Sequence, residues 1–404
     1  MDASRTGELI YDWNREIPQN GRAVEFDDET LRDGLQSPSV RNPPVEEKLR
    51  LLHLMEELRI DCADLGLPGA GPRARADVLA LATEIARNRM RILPDCAART
   101  HIPDILPVAE VSQAAGIPIE VSLFIGSSQI RRVAEDWDLA DMLKRSTEAI
   151  RFAKQHRLPV MYVTEDTTRA HPDVLEALYG AAIAEGVERV CLADTTGHAT
   201  PEGARRLTTF IRELVRRSGR DVKIDWHGHM DRGLGVLNSI AAWDAGADRL
   251  HGTALGVGER VGNTPIDLLL VNFRLMGVIT HSLLKLTDYV NLVSRAVGIP
   301  IPINYPVFGK DAFETATGVH ASAVVKALKK GDLWLANRVY SAVPADEFGR
   351  SQVISVGPMS GRSNVTWWLE SRALEATEDR VKRILEASKR SDHILSEQEI
   401  RALV

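Results

Sequence analysis

Short apolar runs alternate along this chain with stretches of helical periodicity. Eight such runs occur between residues 22 and 248, about one every 32 residues, which is the length of one strand–helix unit. They begin near Arg22, Ile60, Met90, Ile117, Leu158, Arg189, Val222 and Asp248. Several are continuously apolar, as strands are when helices cover both faces of a parallel sheet. The pattern predicts eight buried parallel strands.

The stretch between the first two runs shows the helical pattern most clearly. Pro43 and Pro44 open it, and apolar residues then recur at spacings of three and four, which predicts a helix over 45–58. Eight strands that alternate with helices favour an α/β fold of the (β/α)8 TIM-barrel type over a doubly wound sheet. A dinucleotide-binding doubly wound sheet would also carry a GxGxxG turn after its first strand, and residues 26–31 are unlike that motif.

The alternation of strands and helices stops near residue 280. A proline-rich connection over 299–306 follows, and beyond it the patterns are mostly helical. Ser396 and Glu399 form a capping box at the start of the last predicted helix. We therefore predict a barrel over residues 20–280 and a small, mainly helical C-terminal appendage over 281–404.

Composition and charge exclude several classes of protein. With 44% hydrophobic and 26% charged residues the chain resembles globular rather than disordered proteins, and its net charge of −6 lacks the basic excess of nucleic-acid binders. No apolar run approaches the ~20 residues of a membrane span, and the N-terminus lacks the pattern of a secretory signal. The three cysteines show no CxxC spacing. We expect a reduced, cytoplasmic protein that binds neither nucleic acid nor membrane.

Polar side chains cluster where the apolar runs end. In a TIM barrel this carboxyl-terminal rim carries the active site. The clusters follow five different runs and occupy the segments 32–36, 164–166, 194–197, 225–229 and 256–263. Because parallel strands of a barrel all end at one rim, the sequence predicts that these clusters meet there.

The seventh run ends in a His-x-His pair. Alternation along a strand directs His227 and His229 to one face, so both imidazoles reach one ion. Asp33 adds a carboxylate that balances the charge of the ion, and mixed nitrogen and oxygen ligands suit Mn²⁺, Zn²⁺, Fe²⁺ or Co²⁺, and Mg²⁺ with added water. Alone, Asp33 is more often a turn residue or helix cap, and Gly256 and Gly258 fit a simple turn. The combination predicts a metal site.

Five motifs together resemble a known enzyme family. They are DETLRDGLQSP, DTTGHATP, HGHMDRG, GVGERVGN and GKDAFETATGVHASA. These motifs and their order along the chain are similar to those of the barrel metalloenzymes that include 2-isopropylmalate, homocitrate and citramalate synthases. The HMG-CoA lyases are more distant members of that family. The resemblance runs from about residue 20 to the C-terminus. It implies a metal-dependent, Claisen-type condensation of acetyl-CoA, or another acyl-CoA, with a 2-oxo acid, giving a 2-hydroxy dicarboxylic acid and CoA in amino-acid biosynthesis.

The resemblance also implies roles for individual residues. The metal ligands it implies, for a divalent ion such as Mg²⁺, Mn²⁺ or Zn²⁺, are Asp33, His227, His229 and Asn263. The catalytic residues it implies are Arg32, Glu165, His320 and Tyr340. The substrate-binding residues are Gln36, Arg99 and Thr195. Which of Glu165, His320 and Tyr340 acts as the general base is left open.

The resemblance extends to assembly and control. Members of the family place the region around His320 over the barrel of a neighbouring subunit, which implies a homodimer. The isopropylmalate synthases continue into a C-terminal regulatory domain, which this chain does not reach, so we expect no leucine feedback.

Some positions depart from the family pattern. Leu35 stands where the synthases usually carry an acid, and it makes LRDGLQ resemble the lyases. The loop 257–262 contains no cysteine, whereas the lyases use one there as an acid. Ser122 replaces a histidine common in isopropylmalate synthases. We expect Leu35, Leu67, Ser122 and Thr164 to face the pocket that selects the 2-oxo acid, whose identity is left open.

Other functions remain as alternatives. A 3-hydroxyacyl-CoA lyase of the HMG-CoA lyase type is the main one, because of Leu35. A biotin-dependent carboxyltransferase would want a lysine ligand near the fifth strand, where this chain has 164–166, Thr-Glu-Asp. A metal-dependent hydrolase normally carries its His-x-His pair on the first strand, whereas this chain carries the pair on the seventh. A barrel that has lost its activity and serves as an assembly partner is a further alternative. Such a protein would not need Arg32, Asp33, His227 and His229, all of which are present here.

Overall fold

The computed structural model of the protein describes Thr6, residues 8–14 and residues 22–404. Contacts divide the chain into two compact units, one ending at Thr280 and one running from His281 to Val404. The predicted start of the barrel at residue 20 lies outside the described residues. No helix in the described part of the chain combines the length and apolar character that crossing a membrane requires.

The first unit is a closed barrel of eight parallel strands, each paired with its neighbour in sequence and β8 with β1. The strands are β1 (Glu25–Asp28), β2 (Cys62–Asp64), β3 (Leu93–Arg99), β4 (Glu120–Gly126), β5 (Val160–Glu165), β6 (Arg189–Asp194), β7 (Lys223–Gly228) and β8 (Arg249–Gly252). Each predicted apolar run overlaps one of these strands. The prediction of a TIM barrel is confirmed.

Helices surround the strands and bury an apolar stripe against them. The helices of this unit are α1 (Val45–Glu57), α2 (Pro72–Asn88), α3 (Ile102–Ala115), α4 (Gln129–Glu135), α5 (Leu139–Gln155), α6 (Pro172–Ala184), α7 (Pro201–Ser218), α8 (Gly235–Ala245) and α9 (Ile266–Leu275). In α1 the residues Leu51, Leu52 and Met55 are buried, as the predicted spacing requires. The cysteines Cys62, Cys96 and Cys191 are buried and free.

The interior of the barrel is unusually rich in charge. TIM-barrel interiors are mostly filled by branched apolar side chains, but here Arg249 lies between Asp225 (Nε–Oδ2 2.6 Å) and Glu120 (Nη2–Oε1 2.5 Å). Arg189 pairs with the other oxygen of Asp225 at 2.8 Å. Because a buried charge is tolerated only with a partner, these pairs hold the strands in one register beneath the mouth of the barrel.

The second unit is mainly helical, as predicted. Its elements are α10 (Leu286–Val297), β9 (Glu314–Thr315), α11 (Gly318–Lys329), α12 (Leu333–Ala336), β10 (Val353–Ile354), α13 (Arg362–Glu370), α14 (Glu378–Arg390) and α15 (Glu397–Arg401). The strands β9 and β10 form a short parallel pair. The predicted capping box is present, since Ser396 accepts a hydrogen bond from the Glu399 amide and the Glu399 carboxylate accepts one from the Ser396 amide at 2.8 Å.

Candidate metal centre and active site

Three of the predicted metal ligands lie together at the mouth of the barrel. Asp33 follows β1, His227 lies in β7 and His229 directly follows it. The Nε2 atom of His227 is 3.5 Å from Oδ2 of Asp33, and the Nε2 atom of His229 is 4.0 Å from the same oxygen. All three side chains are buried. Strand alternation therefore brings both imidazoles to one carboxylate.

The unsatisfied polar atoms of this cluster fit a divalent metal ion. The buried Nδ1 atom of His229 and Oδ1 atom of Asn263 have no hydrogen-bond partner, which is unfavourable unless another group satisfies them. Burial, and then the neighbouring His227, lowers the pKa of His229 to about 4, so its ring is neutral at pH 7. A carboxylate, two imidazoles and an amide oxygen are suitable ligands for a divalent transition metal.

Glu29 supports the cluster and was missed in the sequence. Its Oε2 atom is 2.7 Å from Nδ1 of His227, and its Oε1 atom is 3.1 Å from Nδ1 of His251 and accepts from Arg32 at 2.7 Å. The Nε2 atom of His251 is 3.0 Å from Asp225. A carboxylate on the outer nitrogen of a metal-binding histidine orients the ring. The sequence pattern that could identify it is strand alternation, which places Glu29 on the same inward face as Asp27.

The loop after β8 positions Asn263. The Asn263 amide donates to the carbonyl of Val257 at 3.1 Å, and a Cβ on Gly258 would overlap that amide. Gly262 has a φ of +99°, and a Cβ there would overlap the carbonyl oxygen of Gly256. These glycines are needed because the loop folds tightly upon itself around Asn263.

Arg32 is a fixed cation at the mouth. Its guanidinium is 2.5 Å from Asp64, 2.7 Å from Glu29 and 3.2 Å from Asp33. Burial lowers its pKa, but these carboxylates outweigh burial and raise the pKa well above the usual value. A charged group held in this way is suited to stabilise negative charge that develops on a substrate oxygen.

Thr195 and Glu165 complete the polar side of the site. The Thr195 hydroxyl accepts a hydrogen bond from the Asp166 amide at 2.8 Å, so its own proton remains to be donated. Burial raises the pKa of Glu165, which Arg131 and Arg32 only partly offset. The raised pKa brings this carboxyl closer to the range in which it exchanges protons near neutral pH.

These residues surround one cavity of about 530 Å³. Of the predicted site residues, those that line it are Arg32, Asp33, Gln36, Glu165, Thr195, His227 and His229. Asn263 lies beside them, because its backbone forms a β-bridge with His229. The structure thus brings eight predicted residues of the barrel together at one mouth.

The family model described as HMGL-like matches residues 23–294. That span exceeds half of the chain and includes all eight strands of the barrel. The chain belongs to the HMGL-like family.

Named relatives of this HMGL-like chain agree with the motifs. It is 30% identical over 369 residues to the probable 2-isopropylmalate synthase of Methanopyrus kandleri, covering 90% of this chain and 68% of that protein. It is 31% identical over 373 residues to homocitrate synthase AksA of the same organism, covering 90% of this chain and 86% of that protein. The resemblance inferred from the motifs is confirmed.

A solved structure shows the same fold. The hydroxymethylglutaryl-CoA lyase from Pseudomonas aeruginosa superposes with a TM-score of 0.58 at 20% identity. The match covers 68% of this chain and 93% of that chain.

Arg99 lies apart from the main cavity of this HMGL-like barrel. Its guanidinium pairs with Asp104, at 2.5 and 3.1 Å, and it lines a second cavity of about 320 Å³. This cavity shares Phe124 and Glu165 with the first. A role for Arg99 in binding the substrate stays a prediction.

Two residues expected to select the substrate do not face the cavity. The Thr164 hydroxyl is 2.7 Å from the hydroxyls of Thr167 and Tyr179, in the layer between β5 and its helix. Leu35 lines a separate small cavity together with Leu65. Alternation explains Thr164, since its neighbours in β5 face inward. Leu67 and Ser122 do line the main cavity.

His320 and Tyr340 belong to the second unit. Their rings stack with centroids 4.3 Å apart and planes inclined by 33°, and both side chains are exposed. Their predicted catalytic roles, in this subunit's barrel or a partner's, stay predictions.

Proposed function

We propose that this protein catalyses the metal-dependent condensation of acetyl-CoA, or another acyl-CoA, with a 2-oxo acid, releasing CoA and a 2-hydroxy dicarboxylic acid. The arrangement of Asp33, His227, His229 and Arg32 around one cavity supports the proposal above all. The names of the relatives, 2-isopropylmalate and homocitrate synthases, support the same reaction class.

The side chains of the site match the needs of this reaction. A divalent ion held by Asp33, His227, His229 and Asn263 would supply Lewis acidity for the substrate carbonyl. Thr195 donates its hydroxyl proton to the carboxylate of the 2-oxo acid. Arg32 stabilises the negative charge that forms on the carbonyl oxygen as the new bond develops.

The proton transfers fall to a set of three residues. A base takes a proton from the methyl group of the acetyl thioester, and the resulting carbanion equivalent forms a carbon–carbon bond to the 2-oxo carbon. The π bond of the carbonyl breaks at the same time, and its oxygen then takes up a proton to become the 2-hydroxyl group. Water then cleaves the thioester, which releases CoA and makes the condensation irreversible. Glu165, with its raised pKa, belongs to the set with His320 and Tyr340.

A thiol-release assay tests the proposal. The protein is mixed with acetyl-CoA, Mn²⁺, Mg²⁺ or Zn²⁺ and a panel of 2-oxo acids, and free CoA is measured with a thiol reagent. We expect release that depends on both the metal and the 2-oxo acid. Arg32→Gln lowers kcat about 100-fold or more, whereas Arg75→Gln, at an exposed pair with Glu110 (2.9 Å), leaves it unchanged. Absence of release with every acid and metal overturns the assignment.

Cleavage of 3-hydroxy-3-methylglutaryl-CoA is the second candidate activity. Leu35 favours it, because LRDGLQ resembles the lyases. The loop 257–262 offers no cysteine as the acid for that reaction. Formation of acetyl-CoA from the hydroxyacyl thioester, with no condensation of 2-oxo acids, would identify the lyase.

A further inference from the structure

The main cavity has two chemically different walls. One wall comes from the ends of β1, β6 and β7 and carries the polar side chains of Arg32, Asp33, Thr195, His227 and His229. The other comes from β3, β4 and β5 and from the loop after β2. Apart from Ser122 and Glu165, the latter at the end of β5, its lining is apolar and consists of Leu67, Ala97, Phe124, Met161 and Val163. The strand order places β3–β5 across the barrel from β7, β8 and β1. A 2-oxo acid whose head group lies at Arg32 and Thr195 therefore directs its side chain toward apolar atoms.

The charges around the cavity disfavour a second carboxylate on the substrate. Four carboxyl groups line it, those of Glu29, Asp33, Glu165 and Glu259. Arg32 is the single arginine or lysine among the described residues that line it, and three carboxylates already surround that guanidinium. An anion placed against the apolar wall would lose its hydration without gaining a partner.

The polar groups near the apolar wall already have partners. The Ser122 hydroxyl donates to Asp95 at 2.7 Å. Arg99 and Arg131 line the second cavity rather than this wall, and they pair with Asp104 and with Glu135 (3.0 Å), respectively. The wall thus offers little that would recognise a charged substrate group.

The wall also leaves space for a side chain of several carbons. Ala97 and Ala193 contribute only methyl groups to a cavity of about 530 Å³. A methyl group alone, as in pyruvate, would leave much of this apolar surface uncovered. Each additional methylene that fits such a pocket improves kcat/KM by about 10-fold or more.

We propose that this enzyme takes a 2-oxo acid with one carboxylate and an apolar side chain larger than methyl, selected by the wall of Leu67, Ala97, Phe124, Met161 and Val163. The inference rests on the proposed condensation, and it names the class of its 2-oxo acid.

A substrate panel tests the inference. kcat/KM is measured with acetyl-CoA for pyruvate, 2-oxoisovalerate, 4-methyl-2-oxovalerate, phenylpyruvate, oxaloacetate and 2-oxoglutarate. We expect the best branched or aromatic acid to exceed pyruvate at least 10-fold and both dicarboxylic acids at least 100-fold. A preference for pyruvate or for either dicarboxylic acid overturns this inference and leaves the condensation standing. No turnover with any acid refutes the condensation itself.

Two variants of the apolar wall test whether this wall selects the 2-oxo acid. Ala97→Leu fills the space and lowers kcat/KM for 4-methyl-2-oxovalerate at least 10-fold, while the value for pyruvate changes less than about 3-fold. Val163→Thr keeps the shape and adds a hydroxyl, so it lowers kcat/KM for the apolar acids even if Ala97→Leu folds poorly. The matched control is Thr164→Val, one residue along β5 and facing away. If both wall variants change all substrates equally, or not at all, the wall does not select the substrate.

Discussion

Glu29 shows how one side chain organises the residues of the candidate metal site. It contacts His227, His251 and Arg32, and His251 continues the chain of hydrogen bonds to Asp225. The carboxylate therefore orients the imidazole of His227, a candidate metal ligand, and the guanidinium of Arg32 together. Glu29 thus restricts the orientations of the imidazole and the guanidinium before any ligand binds.

Glu29→Gln tests this effect on metal binding. The amide keeps the size of the side chain but loses the charge that orients His227, so we expect affinity for Mn²⁺ or Zn²⁺ to fall about 10–100-fold. Isothermal titration calorimetry with each ion measures this affinity. Glu84→Gln is the control, because Glu84 also contacts a histidine, His53 at 2.8 Å, but does so at the exposed surface. Equal affinities for the two variants would contradict the role of Glu29.

Asp27 makes stability depend on pH. Both of its carboxyl oxygens are buried without a hydrogen-bond partner, and burial, followed by Asp95, raises its pKa to about 8. The native state thus keeps a proton that the unfolded state loses near pH 4. The resulting stabilisation is full below about pH 4 and is lost as pH rises to about 8, by up to about 1.4 kcal/mol per pH unit.

Asp27→Asn removes this dependence, because the amide resembles the protonated acid and does not titrate. Urea unfolding at pH 5 and pH 7.5 gives the free energy of unfolding of each protein. We expect wild type to lose stability relative to the variant between these two values. Parallel changes in both proteins would exclude a raised pKa at Asp27.

At the scale of elements, alternation along β5 gives the strand one face that lines the cavity and one that packs against the helices. Val163 and Glu165 line the cavity, whereas the Thr164 hydroxyl contacts Thr167 and Tyr179 on the outer side. The strand is apolar along most of its length, so its composition does not reveal which face is which. Hydrogen bonds to the helix layer reveal it.

Thr164→Val exchanges these buried hydrogen bonds for a methyl group of similar size. We expect a loss of about 1–2 kcal/mol in the free energy of unfolding, with unchanged kcat/KM. Thermal unfolding and steady-state kinetics measure the two quantities. Thr209→Val, at an exposed position of α7, serves as the control and should change neither. A changed substrate preference in Thr164→Val would place this side chain in the cavity after all.

At the scale of the whole molecule, the second unit carries two predicted catalytic residues, His320 and Tyr340. The unit has its own core, which includes Trp368, Leu369 and Ile384. The resemblance implies that a partner subunit receives His320 at its barrel, and this arrangement makes a specific kinetic prediction.

Subunit mixing tests that arrangement. Asp33→Asn damages the metal site and His320→Ala damages the second unit, so each variant alone loses most of its activity. If His320 serves the partner's barrel, exchanged subunits form dimers with one intact site, and activity returns on mixing. Size-exclusion chromatography confirms the dimer, and a mixture of each variant with itself is the control. A dimeric mixture no more active than its parents places His320 in its own subunit's site.

The sequence by itself determined the barrel, the capping box at Ser396 and most of the polar residues at the mouth. These follow from local patterns, because strand and helix periodicity set which face each residue occupies. His227 and His229 were predictable because they lie two residues apart on one strand.

Only the tertiary structure decided which distant side chains meet. Glu29 directly follows β1, whereas Asp225 lies in β7 and His251 in β8. Closure of the barrel, rather than spacing along the sequence, brings them into one hydrogen-bonded chain. The same closure sets the apolar wall of β3–β5 opposite His227 and His229. Contacts across a barrel depend on strand register and closure, which local patterns do not encode.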